Sequence, residues 1–290
     1  HESIAQAHGA AGRALTLLSH DTVVASGSVC VVDEKRCIGC GACAEACTYG
    51  AVSLHDSRQV KKAKVNMVLC KGCGLCNSKC PTQAIQLKHF TDEQLLSQVR
   101  AANPETDITK KAGIAAGFKP RMLGFVCNWC CYGGADLAGV SRYQYPPHIR
   151  LVRVMCSGRV DMLHVFNAFL NGMDAVFIGG SHLPADCHYV PQGNYDALNM
   201  TMLSKKILEY IGINPERLRI EWVSAAEGTR FAEIMTDFSQ RIKEVGPLGV
   251  AEKIDIDELK SRIEKVIRLI PYIKMAKRKK LRSRFEVEEE

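Results

Sequence analysis

Eight of the fourteen cysteines in this sequence fall in two short cassettes. Residues 37–47 read C-I-G-C-G-A-C-A-E-A-C and residues 70–81 read C-K-G-C-G-L-C-N-S-K-C-P. Each is C-x2-C-x2-C-x3-C, and the second copy begins 33 residues after the first. Three thiolates at this spacing wrap three irons of a cubane cluster through a tight, glycine-containing loop. The fourth lies about a helical turn later and points away, toward the cluster of the other cassette. The spacing therefore assigns Cys37, Cys40, Cys43 and Cys80 to one 4Fe-4S cluster, and Cys70, Cys73, Cys76 and Cys47 to a second. Tetrahedral zinc is the alternative, but zinc takes four ligands, usually as two separated pairs. It gives no reason for a third Cys at x2 in both copies.

Short strands must deliver these loops. Val29–Asp33 reads as a strand entering the first cassette and Ala51–Leu54 as one leaving it; Lys64–Leu69 and Ala84–Leu87 repeat the pattern. Cys30, in the first of these strands and outside the cassette spacing, reads as a buried small hydrophobe. Thr91 caps a helix, with Gln94 at the capping-box position. The Gly-, Pro- and polar-rich stretch 103–121 then reads as a linker.

Beyond it, apolar runs alternate with helical patterns. Met122–Val126, Ile149–Met155, Ala175–Gly179 and Leu218–Val223 read as strands buried on both faces. Val160–Asn171, Asn194–Ile211 and Thr229–Val245 read as helices. The alternation predicts an α/β open parallel sheet of flavodoxin-like or related type, in which ligands sit outside the carboxyl ends of the strands. The remaining cysteines fall there: Cys127, Cys130 and Cys131 after the first strand, Cys156 after the second, Cys187 in the loop after the third. A four-thiolate site needs Cys127, one or both of Cys130 and Cys131, Cys156 and Cys187. The alternative chemistry is a redox-active C-x2-C at Cys127 and Cys130. Trp129, His182, His188 and Arg159 flank the site. Trp129 reads as a packing lid and the histidines as hydrogen-bonding or surface groups; Arg159 either offsets cluster charge or forms a solvated salt bridge.

The 290 residues carry a formal charge of +7, and residues 274–284 alone hold seven basic and no acidic side chains. The excess is a tail property. It lacks interleaved aromatics and ends in E-V-E-E-E, which disfavours nucleic acid and favours an acidic redox partner or a solvated helix end. No apolar run reaches the roughly 18–20 residues of a membrane span, and the start lacks a secretory pattern. A cytoplasmic protein is expected, and there thiols serve metal binding or redox chemistry rather than disulfides. His1 in place of Met suggests a processed or trimmed product. Ile256, Leu259, Ile263, Val266, Ile267 and Ile270 form an apolar helical stripe ending at Pro271, read as docking on a neighbour or on the body of the chain. No Ser-His-Asp group, carboxylate pair or phosphate loop stands above background. Oxidised four-thiolate clusters carry about −2 each, so three would bring the formal charge near +1.

The double cassette, with Pro81 after Cys80 but Thr48 after Cys47, resembles bacterial-type 2(4Fe-4S) ferredoxins over residues 30–89. The segments G-F-V-C-N-W-C-C-Y-G-G-A-D, R-V-M-C-S-G-R-V, G-G-S-H-L-P-A-D-C-H-Y and R-I-E-W-V-S-A-A-E-G resemble the delta subunit of methyl-viologen-reducing hydrogenase over residues 120–248. That resemblance implies a 2Fe-2S cluster on Cys127, Cys130, Cys156 and Cys187, with Cys131 the alternate; Ser181 stands where the family usually has Cys. Residues 3–18 resemble the last helix of the flavin domain of heterodisulfide reductase, which lies directly upstream of a ferredoxin-type insert there. This implies FAD contacts from Ser3 and Gln6. With no G-x-G-x-x-G in this chain, the FAD belongs to a partner or to a missing upstream part.

The expected organisation is therefore a helix over 1–28, an α+β 2(4Fe-4S) ferredoxin domain over 29–90, a helix and linker over 91–120, a hydrogenase-delta-like domain over 121–248 and a C-terminal helix and basic tail over 249–290. The resemblances imply an electron-transfer component of a hetero-oligomeric, flavin-based electron-bifurcating complex. Its partners would be heterodisulfide-reductase-like subunits, a FAD-containing protein, a hydrogenase or formate dehydrogenase, and ferredoxin. The readings from other classes are a structural or nucleic-acid-binding zinc protein and a thiol-disulfide oxidoreductase.

Overall fold

The computed structural model describes residues 27–57, 60–103, 118–189 and 192–280, together with Ile4, residues 7–12, Leu15 and Ser19. The 33-residue repeat folds as two interlocked halves. β1 (Cys30–Val32) runs antiparallel to β4 (Ile85–Leu87), with Cys30 opposite Leu87. β2 (Val52–Ser57) runs antiparallel to β3 (Val60–Val65), with Val52 opposite Val65. Each small sheet takes its entering strand from one half and its leaving strand from the other. Short helices α1 (Ala42–Glu45) and α2 (Leu75–Lys79) carry the end of each cassette.

The expected strand over Lys64–Leu69 is displaced, since β3 ends at Val65. The chain must turn there to present Cys70. The Asn66 side chain accepts from the Val68 amide at 3.0 Å and its carbonyl from the Cys70 amide at 3.1 Å. Asp33 makes the same turn in the first half, accepting from Lys35 at 2.9 Å and Cys37 at 3.1 Å. A side chain oxygen that bonds the backbone two residues on is the usual turn device of Asx residues.

α3 (Asp92–Ala102) starts at the Thr91–Gln94 capping box. The second domain runs β5 (Met122–Cys127), α4 (Cys131–Val140), β6 (Ile149–Val154), α5 (Met162–Leu170), β7 (Ala175–Gly180), α6 (Gly193–Tyr210), β8 (Leu218–Trp222), α7 (Gly228–Val245) and α8 (Ile256–Lys280). Its four strands are all parallel, in the order β6-β5-β7-β8. Central β5 and β7 are buried at every residue, whereas β6 and β8 keep partly exposed positions because they are edges. α4 had no sequence signal, its three glycines being poor helix formers. They serve packing instead: a Cβ on Gly134 would sit 2.8 Å from the Ser224 carbonyl oxygen.

α3 and α8 both belong to this second domain's core. Leu95 and Val99 of α3 and Leu259, Ile263, Val266 and Ile270 of α8 pack with Phe166 and Phe169 of α5 and Phe125 of β5. The opposite face of the sheet packs against Phe231, Met235 and Phe238 of α7. The stripe therefore docks on the body of this chain. α8 does not stop at Pro271 but continues through it to Lys280, although an internal proline removes one helix hydrogen bond. The far side is anchored by Lys274, which pairs with Asp161 and donates to the Cys80 carbonyl at 3.1 Å. Lys274, the first residue of the basic run, is thus half-buried, with its side chain 7% exposed. Among the described residues no helix is long and apolar enough to cross a membrane.

The two domains meet on Asp92. Its carboxylate accepts from Asn77 (3.1 Å) and Gln86 (2.8 Å) on the cassette side, and from Arg159 (2.7 Å) on the sheet side. His164 Nδ1 accepts from the Asp161 amide, so Nε2 carries the proton and donates to Asp92 at 3.2 Å. Burial alone would raise Asp92, but the His164 hydrogen bond and the Arg159 charge together outweigh it and hold the carboxyl far below its usual range. Burial lowers His164, which stays neutral. Arg159, fully buried, also donates to the Phe90 carbonyl at 3.0 Å; it is an internal pair and not a solvated one. Replacing Asp92 by Ala strands a buried guanidinium, so we expect a loss of about 3–5 kcal/mol in urea unfolding at pH 7. A carboxyl with a depressed folded pKa stabilises above its unfolded value, near 4, and loses that contribution as pH falls further. The variant's stability should therefore respond less to acid than the parent's.

Candidate metal centres

Each cassette loop begins with a glycine turn that a side chain would block. Gly39 and Gly72 hold φ of 66° and 72°. A Cβ there would lie 2.1 Å from the Lys61 and Ser28 carbonyl oxygens respectively. The loops are thus pressed against the backbone that enters the other half, β3 at Lys61 and the residues just before β1 at Ser28.

Two cavities result. The first is lined by Cys37, Cys40, Cys43 and Cys80 among apolar Val32, Ile38, Leu54 and Ile85. The second is lined by Cys47, Cys70, Cys73 and Cys76, with Cys30 as a fifth thiol. Cys80 faces the first cassette and Cys47 the second. Backbone amides already point at the sulfurs: Ala63 to Cys37 Sγ (3.4 Å), Ala84 to Cys80 Sγ (3.2 Å) and Cys30 to Cys70 Sγ (3.5 Å). Such donors stabilise the thiolate form that metal binding requires. Burial pushes Cys43 and Cys73 up to about 12, so their protons must be displaced by metal. A set of four thiols around an apolar cradle, with amides aimed at sulfur, fits a cubane cluster. Among the described residues no three His, Cys, Asp or Glu side chains meet at one point; the thiols surround volumes instead.

A third set lies at the carboxyl edge of the parallel sheet, where β5 is flanked by β6 and β7. Cys127 ends β5, Cys130 precedes α4, Cys156 follows β6, and Cys187 sits in the loop after β7. They form two pairs. Cys130 donates to Cys127 and lowers it; Cys156 donates to Cys187 and lowers that. The thiol that keeps the proton in each pair, Cys130 or Cys156, is raised by its partner and by burial. Four cysteine thiolates are what a 2Fe-2S centre takes, and these two pairs could hold one. Ser181, buried, hydrogen-bonds both Cys130 and Cys187 and so bridges the pairs. Cys131 points elsewhere. It is 0% exposed in the apolar layer with Val126, Phe177 and Phe231, and a Cβ on Gly179 would fall 2.2 Å from its sulfur.

The flanking groups are placed as follows. Trp129, 40% exposed, stacks on His188 with ring centroids 3.9 Å apart and donates to the Tyr189 hydroxyl at 2.9 Å. His182 bonds Glu227 at 2.6 Å. Tyr189, Leu75 and Cys156 form one buried cluster, against which Cys73, Cys187 and Tyr49 pack. Leu75 is thus the apolar bridge between the second cavity and the third thiol set; a Cβ on Gly158 would lie 2.3 Å from its Cδ1. Tyr189 and Leu75 lie within the quoted segments, but nothing in their residue type marked them for this contact. Cys30 had a signal: the 33-residue offset maps it onto Ala63, beside the first cavity. Ser3 and Gln6 lie outside the described residues.

Residues 36–84 match the 4Fe-4S dicluster domain model, and residues 122–246 match that of the methyl-viologen-reducing hydrogenase delta subunit. The chain is 42% identical over 247 residues to a component of the ferredoxin:CoB-CoM heterodisulfide reductase of Methanosarcina mazei, covering 85% of this chain and 29% of that protein. This length takes in both domains, yet the chain spans under a third of that relative. It is 49% identical over 145 residues to an iron-sulfur component of the vhc F420-non-reducing hydrogenase of Methanococcus voltae, covering 49% of this chain and 99% of the relative. The corresponding iron-sulfur component of the F420-non-reducing hydrogenase of Archaeoglobus profundus is 49% identical over 130 residues, covering 45% of this chain and 93% of that protein. The crossed cavities make a specific expectation: Cys47→Ala, in the first cassette, should cost the cluster whose other three cysteines lie in the second. Iron and sulfide analysis should fall by about one cubane, with the remaining reduced-cluster EPR signal kept.

Proposed function

This chain belongs to the methyl-viologen-reducing hydrogenase delta-subunit family, joined here to a 4Fe-4S dicluster domain, and on that premise we propose that it is an iron-sulfur electron-transfer protein linking a hydrogenase or formate dehydrogenase module to a FAD-containing, heterodisulfide-reductase-like partner. Cys37, Cys40, Cys43 and Cys80 would hold one 4Fe-4S cluster, Cys47, Cys70, Cys73 and Cys76 the other, and Cys127, Cys130, Cys156 and Cys187 a 2Fe-2S cluster. When bound, these groups supply one-electron transfer at potentials tuned by surrounding hydrogen bonds and burial.

The observation that carries the reading is the contact between thiol sets. Cys73, Leu75, Tyr189, Cys156 and Cys187 lie in a single buried patch across the domain junction, so the third set adjoins the second cavity. Leu75 and Tyr189 exclude water from that path. Arg159 brings a buried positive charge to the same junction, its Cδ packed where a Cβ on Gly74 would lie 2.6 Å away. The strand order β6-β5-β7-β8 agrees with the first four strands of a flavodoxin-like sheet, whose ligand position lies beside the first strand; this supports the placement of the 2Fe-2S ligands. The names of the relatives support a hydrogenase at one end and a heterodisulfide reductase at the other. A FAD held by the partner would split electron pairs, with ferredoxin as one acceptor.

Native purification tests it: the chain should copurify with a flavoprotein and with hydrogenase or formate dehydrogenase components. An isolated chain that reduces no flavoprotein would overturn the partner assignment. A brown protein with iron and sulfide is expected, whereas a colourless one with stoichiometric zinc would establish the zinc reading. Cys131→Ala should retain the 2Fe-2S EPR signal because Cys131 faces the core, while Cys156→Ala should abolish it. Thiol-disulfide exchange at Cys127 and Cys130 that persists unchanged in Cys156→Ala, with no 2Fe-2S signal in the parent to lose, would favour the oxidoreductase alternative.

A further inference from the structure

The two halves of the cassette domain are related by the 33-residue offset, and their cavities should be equivalent. They differ at several lining positions, and at one buried position only one half carries a thiol. Ala63 lines the first cavity and its amide points at Cys37 Sγ; Cys30, its counterpart, lines the second, and its amide points at Cys70 Sγ. The position is sealed in both halves, Cys30 being 1% and Ala63 3% exposed. Cys30 Sγ lies 3.4 Å from Cys76 Sγ. The second cavity thus has five thiols for a group that takes four.

We propose that Cys30 is a positioning residue that donates its S–H to the sulfur of Cys76, beside the amide it already gives Cys70, and so gives the second 4Fe-4S site a higher reduction potential than an alanine there would. This rests on the reading of both cavities as 4Fe-4S sites. Metal binding takes Cys47, Cys70, Cys73 and Cys76 as thiolates, leaving Cys30 as the S–H that faces them. A donor aimed at a ligand sulfur stabilises the reduced, more negatively charged state more than the oxidised one, because hydrogen bonding to sulfur and solvent exclusion set cluster potentials. Thiols are weak donors, but in a dry cradle no water competes with the bond. Ala63 offers no such donor to Cys37. The second site adjoins the third thiol set, so the asymmetry sets the potential at the point where the two domains meet.

The test is anaerobic redox titration of the full chain, followed by EPR, with iron and sulfide counted for each variant. In Cys30→Ala one of the two 4Fe-4S midpoints should move to lower potential while the other stays. Cys30→Ser, which keeps a donor, should move it less. In Ala63→Cys the opposite midpoint should rise. Unchanged midpoints with both clusters intact would overturn the proposal, as would loss of one cluster's iron in Cys30→Ala, which would make Cys30 a ligand. A parent protein without two 4Fe-4S clusters would instead overturn the functional reading on which this rests.

Discussion

A buried carboxylate must find donors on every side, and Asp92 finds them in two domains at once. Asn77 and Gln86 reach it from the cassette domain, Arg159 and His164 from the sheet domain. Removing such a charge from water costs several kcal/mol, which only well-aimed partners offset. The four donors can converge only in one relative placement of the domains. That placement also brings Leu75 onto Gly158 and sets Tyr189 beside Cys73 and Cys156. The junction that would carry electrons is thus positioned by an ion pair that takes no part in redox chemistry. Lys274 makes a second tie, joining α8 to Asp161 in one domain and to the Cys80 carbonyl in the other.

The cassette domain is nearly symmetric, and its departures from symmetry are where its two sites acquire different environments. The first cavity has Ala63 and a charged turn, Asp33-Glu34-Lys35-Arg36. The second has Cys30 and an apolar turn, Asn66-Met67-Val68-Leu69, with Val68 exposed. Both turns use the same Asx geometry, so the backbone repeat is kept while the side chains diverge. Since hydrogen bonds and dielectric near sulfur tune a cluster, a duplicated scaffold can carry two unequal potentials without altering its ligands.

In the sheet domain the deciding factor is where a helix begins. Cys130 sits at the cap of α4 and faces the loops after β6 and β7. Cys131, one residue on, is rotated into the core against Gly179. Adjacent residues on a helix do not share a face, so the two thiols meet different surroundings. Ser181 then occupies the gap between the thiol pairs and bonds to one member of each.

The sequence by itself was enough for the local chemistry: the cassette spacing, the crossover implied by the fourth Cys, the capping box at Thr91, and the placing of Cys127, Cys156 and Cys187 at strand ends. Those features rest on short-range geometry, which spacing encodes directly. The strand expected over Lys64–Leu69, the helix α4 and the continuation of α8 through Pro271 were not legible, because turn bonding at Asn66, glycine-dependent packing and the anchor at Lys274 override local propensity. It took the folded chain to turn Cys131 into the core, make Cys30 part of a cavity, bury Arg159 on Asp92 and place the third thiol set against the second cassette. Each depends on what lies across a domain or sheet interface, and contacts between residues tens of positions apart leave no periodic trace in the chain.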